Sequence, residues 1–186
     1  FIFEVSDIEI TENGNIYKGK NRGKIFTNTQ LELLSDNFEY FKKNNQLKTS
    51  GDVQLLDIKN NITINAEKIF YFKNEEKILT LGKTLIKISD KYTVEGYNLT
   101  LLKDKMILSS NDNAIIIDKD INHYKLKNFQ YYINQEILKG ENIQVSTNKN
   151  NKSKSDDFFI KTGFFNLKEN KFLGKDIVLN LNKNLF

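Results

Sequence analysis

The sequence contains no cysteine, no proline and no tryptophan, and it holds a single histidine. Without cysteine no disulfide can form within these 186 residues, so cysteine usage leaves the redox compartment open. No run of about eighteen apolar residues occurs, so no stretch is long enough to cross a bilayer as a helix. What remains is a chain long enough for one domain with a substantial buried core.

Charges of both signs are mixed along the whole chain. The 28 Lys and Arg residues face 24 Asp and Glu residues, which gives a net charge of +4. A nucleic-acid-binding protein usually clusters its basic residues, whereas these lysines lie between carboxylates. The abundance of Asn, Lys and Ile is typical of an AT-rich genome, so the small positive net charge is weak evidence for an anionic partner. We therefore expect no nucleic-acid partner.

Residues able to carry chemistry are few and scattered. With no cysteine, a metal site at His123 would need carboxylates alone around it, so an ordinary surface histidine is the simpler interpretation. Two acidic pairs fall in polar, turn-like segments: Asp118 with Asp120, and Asp156 with Asp157. That setting favours solvated turns over general acid–base catalysis. We predict no catalytic residue, no metal site, no cofactor and no enzyme activity.

One position recurs along the chain at intervals of 30, 31, 30, 30 and 36 residues, and mostly small residues occupy it. These anchor residues are Val5, Ser35, Ala66, Gly96, Leu126 and Thr162. An apolar side chain lies two residues before each anchor, and two more lie three and five residues after it. A chain that is 39% hydrophobic would rarely fill all eighteen of these places, so the sequence predicts a repeat protein of about six units.

Within each unit the apolar period is two, with many β-branched and aromatic residues, which indicates strands rather than helices. The apolar positions before and after the anchor have opposite parity, so a straight strand would turn one set outward. We therefore expect a bend just after the anchor. A second strand, often marked by a glycine such as Gly51 or Gly82, returns after the polar tips 42–46 and 73–77. Each unit is thus predicted to be an antiparallel hairpin.

Hairpins stacked edge to edge predict two sheets that face one another across an apolar seam. The polar stretch NKNNKSKSDD, 148–157, accounts for the longer last interval and is interpreted as an inserted loop. Residues 1–186 are interpreted as one domain. Because the chain begins at Phe1 without a methionine or a leader, we expect a processed or excised segment.

Two segments carry a recognisable unit: SDNFEYFKKNNQLKTSGDVQL, 35–55, and AEKIFYFKNEEKILTLGKTLI, 66–86. Each has a small residue, then Asp or Glu, then x-apolar-x-Tyr, followed by a turn and a return strand with glycine. This unit resembles the OstA-like repeat of the lipopolysaccharide transport proteins, and the resemblance covers nearly the whole chain, weakening after Asn148. It implies an all-β fold, a V-shaped β-jellyroll or β-taco of stacked antiparallel kinked strands, that carries lipid acyl chains between its sheets.

The closing stretch GKDIVLNLNKNLF, 174–186, resembles the last repeat before the membrane barrel in the outer-membrane LptD members of this family. The resemblance implies a periplasmic domain, attached to the outer membrane through a barrel outside this segment. Such a domain receives lipopolysaccharide from an LptA-like bridge protein by strand addition. It passes the lipid A acyl chains to the barrel and its lipoprotein plug. Many LptD proteins have a cysteine in this domain, and this chain departs from them there.

The periodicity and the resemblance together give candidate site residues. The candidates for a lipid groove are Leu33, Phe38, Tyr40, Ile64, Ile69, Tyr71, Val94, Leu99, Leu101, Phe129 and Tyr131. The candidate docking edge is the first strand, from Phe1 to Ile10, with Phe3, Val5, Ile8 and Ile10. Lys42, Lys43 and Lys73 lie at the rim, where they would meet lipid phosphates, although solvated lysines are the simpler interpretation. Burial of about a dozen acyl methylenes, at about 0.8 kcal/mol each, would contribute about 10 kcal/mol.

Three other hypotheses stay open. Within the family, a periplasmic bridge of the LptA kind has the same repeat. A β-helical carbohydrate-active enzyme or surface adhesin is also built from stacked strands, but it usually has three short strands per turn and an acidic cleft. A purely structural scaffold would share the periodicity and have a seam too tightly filled to admit a lipid.

Overall fold

The computed structural model describes residues 1–147 and 156–181, together with the backbone of 184–185. In these residues the chain is all-β, every strand pair is antiparallel, and the only helical elements are single 3-10 turns. The strands predicted from the apolar period of two are therefore confirmed. No helix in this described part is long and apolar enough to span a membrane.

The strands are numbered here in chain order. They are β1 Ile2–Glu4, β2 Asp7–Thr11, β3 Ile16–Lys20, β4 Gly23–Phe26, β5 Leu31–Ser35, β6 Asn37–Phe41, β7 Gln46–Asp57, β8 Ile62–Phe72, β9 Lys77–Ile88, β10 Tyr92–Tyr97, β11 Thr100–Leu102, β12 Ile107–Ser110, β13 Ala114–Asp118, β14 His123–Tyr132, β15 Ile137–Ser146, β16 Asp157–Asn166, β17 Lys171–Leu181 and β18 Asn184–Leu185. The 3-10 turns are Glu12–Gly14, Lys42–Asn44, Lys73–Glu75 and Ile133–Gln135.

These strands form two continuous hydrogen-bonded ladders. The first ladder has the order β1–β4–β5–β7–β8–β9–β10–β13–β14–β15–β16–β17. The second has the order β2–β3–β6–β7–β8–β9–β11–β12–β14–β15–β16–β17. Each long strand gives one half to each ladder, so the two ladders are joined along a line of bends.

The bends lie where the parity of the apolar positions required them. The pairing of β8 with β9 shifts register between Ala66 and Lys68, just after the anchor. On the return strands, Gly51 and Gly82 have φ angles of 82° and 81°, a left-handed conformation that glycine adopts without a Cβ clash. At Ala66 the expected bend after the anchor is confirmed, and it allows both halves of β8 to face the same interior.

Polar side chains link neighbouring bends. Asn21 Nδ2 donates to Asp7 Oδ2 at 2.8 Å, and Arg22 Nη1 donates to Asp36 Oδ1 at 2.9 Å while its Nη2 lies 3.0 Å from Asp52 Oδ2. The same kind of bond joins Asn98 to Asp112 and Asn128 to Glu141, each at 2.8 Å. These bonds lie on the outside of the fold, so they link neighbouring units without placing polar groups in the interior.

Side chains of both ladders meet in one interior seam. The ring of Tyr92 in the first ladder lies edge-on to that of Tyr131 in the second, with centroids 5.5 Å apart. Tyr124 and Phe165 meet in the same way at 5.8 Å. The buried apolar residues form one cluster that includes residues of every strand from β4 to β16. The two ladders therefore share a single core.

Burial decreases at both ends of the stack. Ile8 and Ile10 of β2 are 43% and 55% exposed, and Leu173 and Val178 of β17 are exposed as well. Within the described residues, β1 and β2 pair along one side only, with β4 and β3 respectively. The first strands thus present free backbone edges flanked by apolar side chains.

The predicted inserted loop, 148–157, lies outside the described residues except for its last two. Asp157 is already the first residue of β16, and its Oδ1 accepts a hydrogen bond from Ser146 Oγ at 2.6 Å. The strand therefore begins inside the stretch that composition alone assigned to the loop.

Replacing Gly82 tests the bend on a return strand. An alanine there must hold the left-handed φ and would bring its Cβ within 2.6 Å of Glu67 Oε2. Asn tolerates this backbone region better than Ala, so the free energy of unfolding should fall in the order wild type, Gly82→Asn, Gly82→Ala. We expect Gly82→Ala to lose about 1 kcal/mol or more in urea unfolding. An alanine variant as stable as the wild type would contradict the role given to glycine.

Candidate functional site

The predicted groove residues line the shared seam. Ten of the eleven are 0–3% exposed, and Tyr40, near the first end of the stack, is half-buried. Side chains of the return strands, among them Leu47, Leu55 and Ile86, are equally buried between them. The seam is therefore filled by the protein's own side chains.

The four residues of the predicted docking edge differ in burial. Phe3 and Val5 are partly buried against the core, and the Phe3 ring stacks on that of Phe38 with centroids 5.0 Å apart. Ile8 and Ile10 occupy the places that Phe38 and Tyr40 fill one unit later, but the described residues leave 43% and 55% of their surfaces exposed. The edge thus exposes the apolar face that other units bury.

The side of the seam opposite the bends is called the mouth here. At the mouth, the loops that end the first ladder lie beside the turns that end the second. A pocket of about 700 Å³ separates them, lined by 28–30 and 59–60 of the first-ladder loops and by Glu76, Lys103 and Asp104 of the second-ladder turns. The residues at the mouth are mostly polar, whereas those of the seam are apolar.

Lys103 closes one part of the mouth. Its side chain is 6% exposed, and its Nζ lies 3.5 Å from Asp57 Oδ2 and 3.4 Å from Glu76 Oε2. Asp57 ends β7 in the first ladder and is fully buried, while Lys103 and Glu76 belong to second-ladder turns. Tyr71 donates from its hydroxyl to Glu76 Oε1 at 2.9 Å. This group, Asp57, Glu76 and Lys103, is called the first latch because it joins the two ladders.

The loop after β7 prepares the Asp57 carboxylate. The backbone N–H of Asn60 donates to its Oδ1 at 3.2 Å, and Asn60 Nδ2 donates to its Oδ2 at 2.8 Å. A buried carboxylate is tolerated only when it is hydrogen-bonded and paired with a cation, and Asp57 has both kinds of partner.

Asp118 plays the corresponding part in a later first-ladder loop. Its Oδ1 accepts the backbone N–H groups of Asp120 and Asn122, each at 2.9 Å, and its Oδ2 accepts the Tyr124 hydroxyl at 3.1 Å. Asp118 lies at a turn, as expected, and is partly buried, while Asp120 is exposed. The Asp118 carboxylate also organises the loop, because backbone donors converge on it.

A second group closes the next part of the mouth. Lys91 Nζ lies 2.7 Å from Glu136 Oε1, and the Tyr92 hydroxyl donates to Glu136 Oε2 at 2.9 Å. Lys91 and Tyr92 belong to the first ladder, while Glu136 ends a second-ladder turn. The hydrogen bond from Lys91 lowers the pKa of the Glu136 carboxyl, and burial raises the pKa of the Tyr92 hydroxyl. This group, Lys91, Tyr92 and Glu136, is called the second latch.

The latch carboxylates come from a recurring turn position. The last turn residues are Asn45, Glu76, Met106 and Glu136, all with left-handed φ, and the residues five places earlier are Tyr40, Tyr71, Leu101 and Tyr131. In these four turns a polar turn residue follows each tyrosine, and Met106 follows Leu101. The corresponding residues Asn15 and Asn170 are also polar, although they follow Ile10 and Phe165. Sequence reasoning missed Glu76 and Glu136, for which the spacing of five residues from a tyrosine was a partial signal.

Not every one of these tyrosines donates its hydroxyl hydrogen bond to the turn residue five places later. Tyr40 donates to Asn45 Oδ1 at 3.0 Å, as Tyr71 does to Glu76. Tyr131, in contrast, makes no hydrogen bond to its own turn residue Glu136, whose carboxylate accepts from Lys91 and Tyr92 instead. The second latch thus takes over an acceptor that the repeat pattern assigns to Tyr131.

The predicted rim lysines lie outside both latches. Lys42 and Lys43 are exposed, and Lys73 places its Nζ 5.3 Å from the centroid of the Phe1 ring. The cations that close the mouth are Lys91 and Lys103 instead. In the part of the chain that the structure describes, no group of three or more His, Asp or Glu side chains is placed to hold a metal ion.

A scan against protein-family models and a search of curated proteins gave no match to this chain.

Removing the cation of the first latch should be costly. Lys103→Met leaves Asp57 buried without a countercharge, so we expect the free energy of unfolding at pH 7 to fall by about 3–5 kcal/mol. The double variant Asp57→Asn with Lys103→Met removes both charges and should recover much of that loss. Lys105→Met, an exposed lysine two residues away, should change stability by no more than about 0.5 kcal/mol. Equal effects of Lys103→Met and Lys105→Met in urea unfolding would contradict the latch.

The second latch should make stability depend on acidic pH. The folded pKa of Glu136 lies below the unfolded value, so its contribution is complete above the unfolded carboxyl pKa of about 4.3 and is lost as the pH falls through the folded value. Glu136→Gln has no such group, so its thermal midpoint should fall less than that of the wild type between about pH 5 and pH 3. Glu75→Gln, at an exposed turn carboxylate, should keep the wild-type slope. Parallel profiles for Glu136→Gln and the wild type would sink this assignment.

Proposed function

We propose that this chain is a non-enzymatic lipid conduit, a periplasmic domain of the OstA-like kind that takes up lipopolysaccharide and passes it on. Its fold would be a β-taco of six repeats of about thirty residues, with the acyl chains between the two ladders. The observation that supports this proposal is the single apolar seam, which both ladders share and which reaches exposed apolar edges at both ends of the stack. The sequence resemblance supplies the identity of the cargo and the compartment.

The energetics of loading follow from the packing of the seam. An acyl chain of about a dozen methylenes gains about 10 kcal/mol when it leaves water. To enter, it must replace contacts that side chains such as Leu99, Leu101 and Phe129 make with one another, all of them 0–2% exposed. Apolar contacts then replace apolar contacts, so the main cost of loading is the separation of the ladders at the mouth.

The first strands are the proposed docking edge for an LptA-like bridge protein. β1 and β2 each have one side without a strand partner among the described residues, and such edges accept an added strand through backbone hydrogen bonds. The exposed Ile8 and Ile10 would then be covered by the incoming protein. In an LptD-like chain the opposite end leads toward the outer membrane. In a free-standing bridge of the LptA kind both ends would accept strands.

A structural scaffold is the second candidate function. The observation that favours it is the complete filling of the seam, where Ile64, Tyr71 and Val94 have no exposed surface at all. Lipid uptake by the folded protein separates the two candidates.

Photocrosslinking tests lipid uptake. A photoreactive residue at Phe38 or Leu99, whose side chains are buried in the seam, should form adducts with lipopolysaccharide after irradiation. The adjacent outward positions Glu39 and Thr100 are the matched controls and should give few adducts, because successive side chains of a strand point to opposite faces. Adducts at the outward positions alone would overturn the groove. Their absence at all four positions in folded protein would favour the scaffold.

A further inference from the structure

The two ladders are held together differently at their two sides. At the bends the chain itself passes from one ladder to the other. Across the mouth, the described residues join the two ladders through the two latches and through one long hydroxyl contact, Thr29 Oγ1 to Tyr71 OH at 3.4 Å. Separation at the mouth therefore breaks charged side-chain contacts and leaves the backbone ladders intact.

Both latches border open space. Lys103 and Glu76 line the pocket of about 700 Å³, and Lys91, Tyr92 and Glu136 line a second pocket of about 320 Å³. At these places charged side chains bridge the loops and the turns beside an open pocket. Once the bridging contacts are lost, the ladders are still held by apolar contacts deeper in the seam, such as that of Tyr92 with Tyr131.

The latches differ in their access to solvent. The carboxylate and ammonium of Asp57 and Lys103 are almost completely buried, whereas the Lys91 side chain is 61% exposed. Dissolved salt screens exposed ion pairs strongly and buried ones weakly. The second latch should therefore release first, while the first latch still holds its part of the mouth.

We propose that the second latch is the gate of the seam: release of Glu136 from Lys91 and Tyr92 opens the mouth beside β10 and β15, and acyl chains enter there. This inference rests on the proposed lipid function, which it deepens by naming the place of entry and the contact that controls it. The first latch, in contrast, keeps the ladders paired while the gate is open.

Pulsed electron–electron double resonance measures the distance between two spin labels across the mouth, without any lipid. Since the sequence has no cysteine, Lys119→Cys in a first-ladder loop and Asn134→Cys in a second-ladder turn can carry the two spin labels. In the Lys91→Met, Glu136→Gln background we expect the long-distance population to rise about two- to fivefold, the factor that a partly exposed ion pair represents. Raising the salt from about 20 mM to about 500 mM should produce the same shift with the intact latch and little further shift in the variant.

The matched control removes charges at the bends. Arg22→Met with Asp36→Asn deletes an ion pair of similar exposure that lies on the closed side, so it should leave the distance distribution unchanged. An unchanged distribution in the latch variant, or an equal change in the control, would overturn the gate.

Lipid entry is followed in the same backgrounds through the rate of adduct formation at photoreactive Leu99. Faster adduct formation in the latch variant, by about the factor seen in the distances, supports the gate. Adducts that form at the same rate despite a wider mouth overturn it and leave the lipid function standing. The absence of adducts in every background, with the mouth open, instead contradicts the lipid function itself.

Discussion

A β-strand presents alternate side chains to opposite faces, and this constraint shapes the whole chain because every unit crosses from one ladder to the other. Without a change of register, the apolar residues after the crossing would face solvent. The register shift after Ala66 and the strand breaks near Ser35 and Gly96 supply that change, helped by the left-handed glycines on the return strands. The common seam, the line of bends and the mouth all follow from this one requirement.

The two ladders are held together by apolar burial in the seam and by charged contacts at the mouth. Apolar burial supplies most of the stabilisation, but it has little directionality and would tolerate ladders that slide or open. The charged groups at the mouth are directional, and those of the first latch are costly to leave unpaired. Asp57 and Lys103 therefore fix the position of the first-ladder loops relative to the second-ladder turns. The Lys91–Glu136 pair lies closer to solvent, so its contact can break and form again.

The sequence predicted what depends on periodicity and missed what depends on neighbours in space. Leu33, Ile64 and Phe129 were predicted to lie inside because burial on one face leaves a period of two, and they are buried. Lys73 and Lys103 occupy the same place in consecutive units, seven residues after the anchor, and look alike in the sequence. Only Lys103 is buried, since Asp57 lies across the mouth from it. Nothing in the repeat pattern identifies that partner.

Among the described residues, β1 and β2 each have one side without a strand partner, and β18 pairs with β17 only near its end, so the repeat pattern by itself does not fix the number of units. Twelve strands at about 4.8 Å spacing give each ladder a depth of about 50 Å. Deleting or duplicating one hairpin would change this depth by about 10 Å and leave the faces of the remaining units as they are. The depth of the seam can thus change during evolution in steps of one hairpin.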